Sequence, residues 1–164
     1  MRVFRFTVRL LIFLVFISCK GFSQETEQEK YAALKNVIDT KDFRFIPQAA
    51  TTAKGNTVTM DPGYLLKLLN DSLVVDLPYF ESGYTVAFGA ADDIVKFNSK
   101  QFTYSAETTK KGGWNIIFIP KDDIKIRRIH LNITREGYCT MQLNIVNKPP
   151  ITYSGVMGDN FSRQ

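Results

Sequence analysis

Beyond about residue 43, apolar and polar positions alternate with a period of two in short runs separated by turn residues, the pattern of half-buried β-strands. Phe43 and Phe45 flank Arg44 and open a strand that extends to about Thr52. Lys54-Gly55-Asn56 predicts a turn, Thr57 to Met60 a short strand, and Asp61-Pro62-Gly63 another turn. Tyr64 to Leu69 and Leu73 to Leu77 are joined by Asn70-Asp71-Ser72 and predict a hairpin. Tyr64, Leu66 and Leu68 share one face of it, with Leu73, Val75 and Leu77 on one face of the partner, and Pro78 is expected to end the second strand. A further strand is expected from Gly83 to Phe88, with a loop from Gly89 to Asp93.

The second half repeats the pattern more regularly. Strands are predicted over 94–97, 101–108, 114–119, 124–134, 138–146 and about 151–156, with turns at Lys110-Lys111-Gly112-Gly113, Lys121-Asp122-Asp123, Arg135-Glu136-Gly137 and Asn147-Lys148-Pro149-Pro150. Trp114 to Ile119 is apolar on both faces, so it is expected to be a central strand covered on both sides. The segment before residue 43 has a different period. Tyr31, Leu34 and Ile38, with Val37 beside them, make a narrow helical stripe behind a capping box of Thr26 and Glu29. Such a helix lies against a sheet and covers part of one face. The fold class that follows is all-β with one N-terminal helix: an antiparallel meander of roughly nine strands, closed as a β-sandwich or a partly open barrel.

The first residues follow neither pattern. Arg2, Arg5 and Arg9 precede an unbroken apolar run from Leu10 to Ile17, shorter than the roughly 20 residues that cross a bilayer. Basic start, apolar core and small residues in that order form a secretory signal peptide. Cleavage after Ser23 is the expected processing, which gives a periplasmic or secreted protein. The alternative is a lipobox-like Phe16-Ile17-Ser18-Cys19, in which a lipidated Cys19 would tether the protein to a membrane. The organisation expected is a signal peptide over 1–23, a helix over 24–40, one β domain over 41–158 and a tail over 159–164.

This division changes the meaning of the charge. The formal net charge is +5, but Arg2, Arg5, Arg9 and Lys20 stand in the leader without an acid, leaving +1 for the remainder. Along the mature sequence no basic stripe is set against a run of phosphates, so no nucleic-acid partner is expected. The 164 residues, 45% hydrophobic and 23% charged, suffice for one globular domain and not for two ordinary ones. With Cys19 in the leader, Cys139 has no partner for a disulfide, and stability rests on the core.

Several fragments in order carry a resemblance: Leu77-Pro78-Tyr79-Phe80 with Gly83-Tyr84, then Gly112-Gly113-Trp114, Gly137-Tyr138, and Ile151-Thr152-Tyr153-Ser154-Gly155. From Phe43 to Gly155 the chain resembles the exported Bacteroidetes proteins grouped as domain of unknown function family 4251. The resemblance implies export and a single β-rich domain, and it implies no catalytic residue. Members of that family carry Gly and Arg after the LPYF element, where this chain has Glu81 and Ser82. If the family loop uses that arginine to hold a ligand or a neighbouring strand, this chain has lost that contact.

Candidate chemistry is sparse. His130 is the single histidine, which excludes multi-histidine metal sites, and alternation puts it with Arg128 and Asn132 on a solvated face. Cys139 alternates with Met141, Leu143 and Ile145 and is expected in the core as an inert thiol. Asp92-Asp93 and Asp122-Asp123 lack the spacing of a calcium loop. No cofactor is expected. Tyr79, Phe80 and Tyr84 leave a strand end after a proline, where they line a contact surface or form an aromatic plug. The expected function is a non-enzymatic envelope domain that binds a protein or a small apolar ligand, with those three residues as the candidate binding surface. The rivals are a hydrolase using Asp92, Asp93, Asp122 or Asp123, and a structural subunit of an envelope assembly.

Overall fold

The structure, a computed structural model, describes residues 27–81 and 93–158. Among them one helix, α1 (Glu27–Asp39), precedes ten strands: β1 (Phe43–Thr51), β2 (Thr57–Thr59), β3 (Leu65–Leu69), β4 (Ser72–Tyr79), β5 (Asp93–Ser99), β6 (Phe102–Thr108), β7 (Trp114–Pro120), β8 (Ile126–Ile133), β9 (Tyr138–Ile145) and β10 (Ile151–Met157). The expected helix cap at Thr26, the strand from Gly83 to Phe88 and the loop after it as far as residue 92 lie outside the described residues, and Asp93, expected in that loop, opens β5.

All ten strands belong to one antiparallel sheet with the order β5-β4-β3-β1-β10-β9-β8-β7-β6, and β2 pairs with β1. Strands β3 to β5 and β6 to β10 are two meanders, and β1 joins them by pairing with both β3 and β10. The sheet begins with β5 and ends with β6, yet these two are consecutive in the chain and separated by Lys100 and Gln101 alone. Its two edges therefore meet at that link. A twisted sheet of this width curls on itself, and here it becomes a nearly closed barrel with a seam between β5 and β6 that is unpaired among the described residues.

The link is locked by one carboxylate. Ser99, fully buried, donates its hydroxyl to Asp122 Oδ1, while the backbone N–H groups of Lys100 and Gln101 donate to Oδ2 at 3.0 and 3.3 Å. The hydroxyl of Ser99 is the main cause that holds the Asp122 carboxyl below its ordinary pKa.

Alternation fills the barrel as the sequence predicts. Phe43, Phe45, Leu66, Leu68, Leu73 and Val75 point inward from β1, β3 and β4, and Ile116, Phe118, Leu131, Met141 and Tyr153 from the other side. The helix covers the remaining opening with Leu34 and Ile38. Its Tyr31 ring stacks on Trp114 at 5.4 Å and carries the Arg135 guanidinium 4.9 Å from its centroid. The β3–β4 hairpin turns through Asn70 and Asp71, both at positive φ (49° and 56°), the conformation of a type I′ turn.

Three expectations are corrected. Strand β7 is not central: it is next to the edge strand β6, and its outer Ile117 and Ile119 are only half-buried. Pro78 does not end β4, which continues through Tyr79 paired with β5. The pairing of β4 with β3 stops at Asp76, so no ladder bond is lost at the proline nitrogen. Strand β8 starts at Ile126 rather than Ile124, whose side chain is 90% exposed.

Candidate functional site

The aromatic strand end is an internal brace. Tyr79 and Phe80 are 1% and 5% exposed, and Tyr79 donates its hydroxyl to Pro149 O at 3.0 Å. The Lys148 ammonium lies 4.6 Å from the Tyr79 ring centroid and pairs with Asp93 at 2.7 Å. Pro78 O in turn accepts from the Tyr153 hydroxyl at 2.8 Å. The two side chains fill the end of the barrel where the β4 terminus faces the β9–β10 turn, the arrangement of a plug. Tyr84 and Cys19 lie outside the described residues.

Gly113 and Gly155 of the sequence fragments are equally structural. A Cβ on Gly155 would stand 2.1 Å from Ile46 O and 2.8 Å from Pro47 Cα, where β1 bulges against β10. A Cβ on Gly113 would stand 2.2 Å from Ile133 O. Only a residue without a side chain lets these strands approach.

His130 and Cys139 are on opposite sides of the barrel wall, as alternation predicts. His130 pairs with Gln142 and faces outward, whereas Cys139 is 3% exposed and points into the core. Burial pushes the Cys139 thiol up to about 12, far from the range of a reactive thiolate. Among the described residues no three His, Cys, Asp or Glu side chains group as metal ligands.

The loop carboxylates are divided between tasks. Asp122 holds the β5–β6 link, Asp123 Oδ1 accepts from the Lys125 backbone N–H at 2.8 Å, and Asp92 lies outside the described residues. Hydrogen bonding by Lys148 and by the Ile94 backbone holds the Asp93 carboxyl below its ordinary pKa. A general acid at neutral pH needs the opposite shift.

Asp93 and Asp123 nevertheless border one concavity of about 190 Å³, beside an edge of β5 that no described strand pairs. Val95, Phe97, Ile126 and Ile145 supply its apolar surface, and Lys125 and Lys148 its rim. Ile94 lines it while 55% exposed, and Ile124 leaves the chain between two lining residues. This seam cleft is the candidate site, and reading the sequence along its length missed it. The alternation of Ile94 to Phe97 marks a strand, but a strand carries no local sign that it will be an edge next to the β7–β8 connection.

Comparison with known proteins agrees with this architecture. Among curated proteins none matches the sequence. The crystal structure of a DUF4251 family protein from Bacteroides eggerthii DSM 20697 superposes with a TM-score of 0.64 at 16% identity, over 82% of this chain and 95% of that one. That likeness shows a shared fold. The family described as Domain of unknown function (DUF4251) matches residues 25–157, the whole of the barrel and its helix. The chain belongs to the DUF4251 family.

Proposed function

We propose that this chain is an exported, non-enzymatic binding domain of the cell envelope, and that it takes a segment of a partner protein in the cleft beside β5. The filled barrel carries this reading. Among the described residues Phe43, Phe45, Phe118, Tyr79 and Tyr153 occupy the interior with 2% exposure or less, large rings standing where a small apolar ligand would have to sit. The seam cleft, at about 190 Å³, falls below the roughly 300–1,000 Å³ of small-molecule pockets. It adjoins a strand edge that is unpaired among the described residues and the exposed Ile94, features suited to adding a strand or seating an apolar side chain. Export rests on the leader, and among the described residues no helix is long and apolar enough to cross a membrane.

The test is site-specific photo-crosslinking in the native envelope. A photoreactive residue at Ile94 is expected to capture a discrete partner, and the same residue at Lys54, in the turn before β2, is not. Ile94→Asp and Phe97→Ala are expected to lower capture through a probe at Lys96. Equal adducts from both probe positions, or capture unaffected by these variants, would reject the seam as the binding site.

A further inference from the structure

The outer wall of the barrel holds a feature that the linear sequence conceals. Between Ile126 and Arg128 the β8–β9 register shifts: Ile126 pairs with Ile145, Arg128 pairs with Asn144, and Arg127 is the extra residue. In a regular strand two consecutive side chains take opposite faces. A β-bulge removes that restriction and re-aims one of them. Arg127 and Arg128 are accordingly both exposed, while Ile126 and Ile129 on either side are buried. With His130, Gln142 and Asn144 the two guanidinium groups line a shallow concavity of about 380 Å³.

The cationic surface continues along β8. Asn132, next outward after His130, borders a second open concavity of about 470 Å³ between the β6–β7 and β8–β9 turns, where Lys110, Lys111 and Arg135 meet. At a rise of about 3.3 Å per residue, β8 runs about 17 Å from Arg128 to its end at Ile133, and Arg135 stands in the turn just beyond. None of these five cations is in a salt bridge among the described residues. The outward residues of β8, β9 and β10 include no carboxylate. Acids border this line at three places: Glu136, in the second concavity beside Arg135; Glu107, which pairs with Asn115 two strands from Asn132; and Asp123, four residues before Arg127, whose carboxylate is taken up by the Lys125 backbone N–H. Between the two basic ends lie hydrogen-bonding side chains, Asn132, Thr140, Gln142 and Asn144, and Tyr138 adds an aromatic ring that is 63% exposed.

We infer that this face binds an acidic polysaccharide. Negative groups repeated along a hydroxyl-bearing chain match cations at both ends with amides and a hydroxyl between them, and the exposed Tyr138 offers an apolar platform for a sugar ring. The two concavities are open and lie at opposite ends of the strand-lined wall, an arrangement that suits an extended chain across both better than one small anion in either. A single exposed ring does not provide the successive stacking surfaces by which single-stranded nucleic acid is held. The surface is separate from the seam cleft, and the inference does not depend on that proposal.

Affinity electrophoresis of the folded domain tests it, with polygalacturonate, neutral dextran, oligothymidylate and phosphatidylglycerol vesicles as probes. Polygalacturonate is expected to retard the protein and dextran to leave it unmoved. The double variant Arg127→Gln/Arg128→Gln is expected to lose at least about tenfold in affinity, at an unchanged unfolding midpoint because both side chains are exposed. Lys110→Gln/Lys111→Gln, at the far end, is expected to weaken binding as well, and Tyr138→Ala to weaken polygalacturonate binding more than oligothymidylate binding. No retardation by polygalacturonate, equal or tighter binding to oligothymidylate or to the vesicles, or unchanged affinity in both double variants would overturn the inference.

Discussion

Tyr153 donates its hydroxyl to the main-chain carbonyl of Pro78 at 2.8 Å, from β10 to β4, inside the barrel. The two strands are not neighbours, because β1 and β3 separate them in the sheet. The bond therefore spans the end of the barrel and fixes its cross-section, and it connects two of the fragments that mark the family. Tyr153→Phe keeps the ring and leaves a buried carbonyl unpaired, which costs about 1–3 kcal/mol. Urea denaturation should show that loss in the midpoint with an unchanged slope; a midpoint equal to the parent's would mean that the bond does not brace the barrel.

Gly155→Ala should be more severe. The new methyl would stand 2.1 Å from Ile46 O, so β10 and β1 must separate at the strand that joins the two meanders. A loss above about 4 kcal/mol, or failure to fold, is expected from such overpacking of backbone on backbone. Ser154→Ala, one residue away and exposed, is the control and should leave the circular dichroism melting curve in place.

Cys139 should resist alkylation until the barrel opens. With its pKa pushed up to about 12 by burial, its thiolate population at pH 8 is at least about a thousandfold below that of a free cysteine. Mass spectrometry after iodoacetamide treatment should find Cys139 unmodified in buffer and modified in denaturing urea. Rapid modification of the folded protein would place the residue at the surface.

Acid should loosen the β5–β6 link. The Asp122 carboxyl titrates lower in the folded protein than in the unfolded chain, so its contribution is complete above the unfolded value of about 3.9 and is lost as pH falls through the folded one. Asp93, lowered first by its hydrogen bond from Lys148, follows the same sign. The parent should lose stability as pH falls below about 4, and Asp122→Asn, already without the charge, should show a smaller loss across that window. Parallel pH dependence in the two proteins would show that Asp122 contributes nothing in this range.

Much of the strand content could be read from local pattern. Leu66 with Leu68, Leu73 with Val75 and Leu77, and Met141 with Cys139 and Leu143 all point inward as alternation places them. The Asn70-Asp71 turn set its hairpin, with Leu68 opposite Leu73. Where local rules failed, a partner strand had intervened. Pro78 is tolerated inside β4 because its pairing with β3 has already ended, and the apolar outer face of β7, at Ile117 and Ile119, is only half-buried beside the edge strand β6.

The period of two determined which side chains share a face, because neighbouring residues of an extended chain point in opposite directions whatever lies beside them. It determined that His130 and Cys139 are kept apart, and that Cys139 belongs to the core. Tertiary structure alone decided which strands became edges, that Tyr153 would reach Pro78, and that Lys110 and Lys111 would join the line of Arg127, Arg128 and Arg135. These relationships arise from closing a sheet between segments distant in the chain, and from a bulge that breaks alternation at Arg127. A repeat within one strand carries no information about the strand that pairs with it.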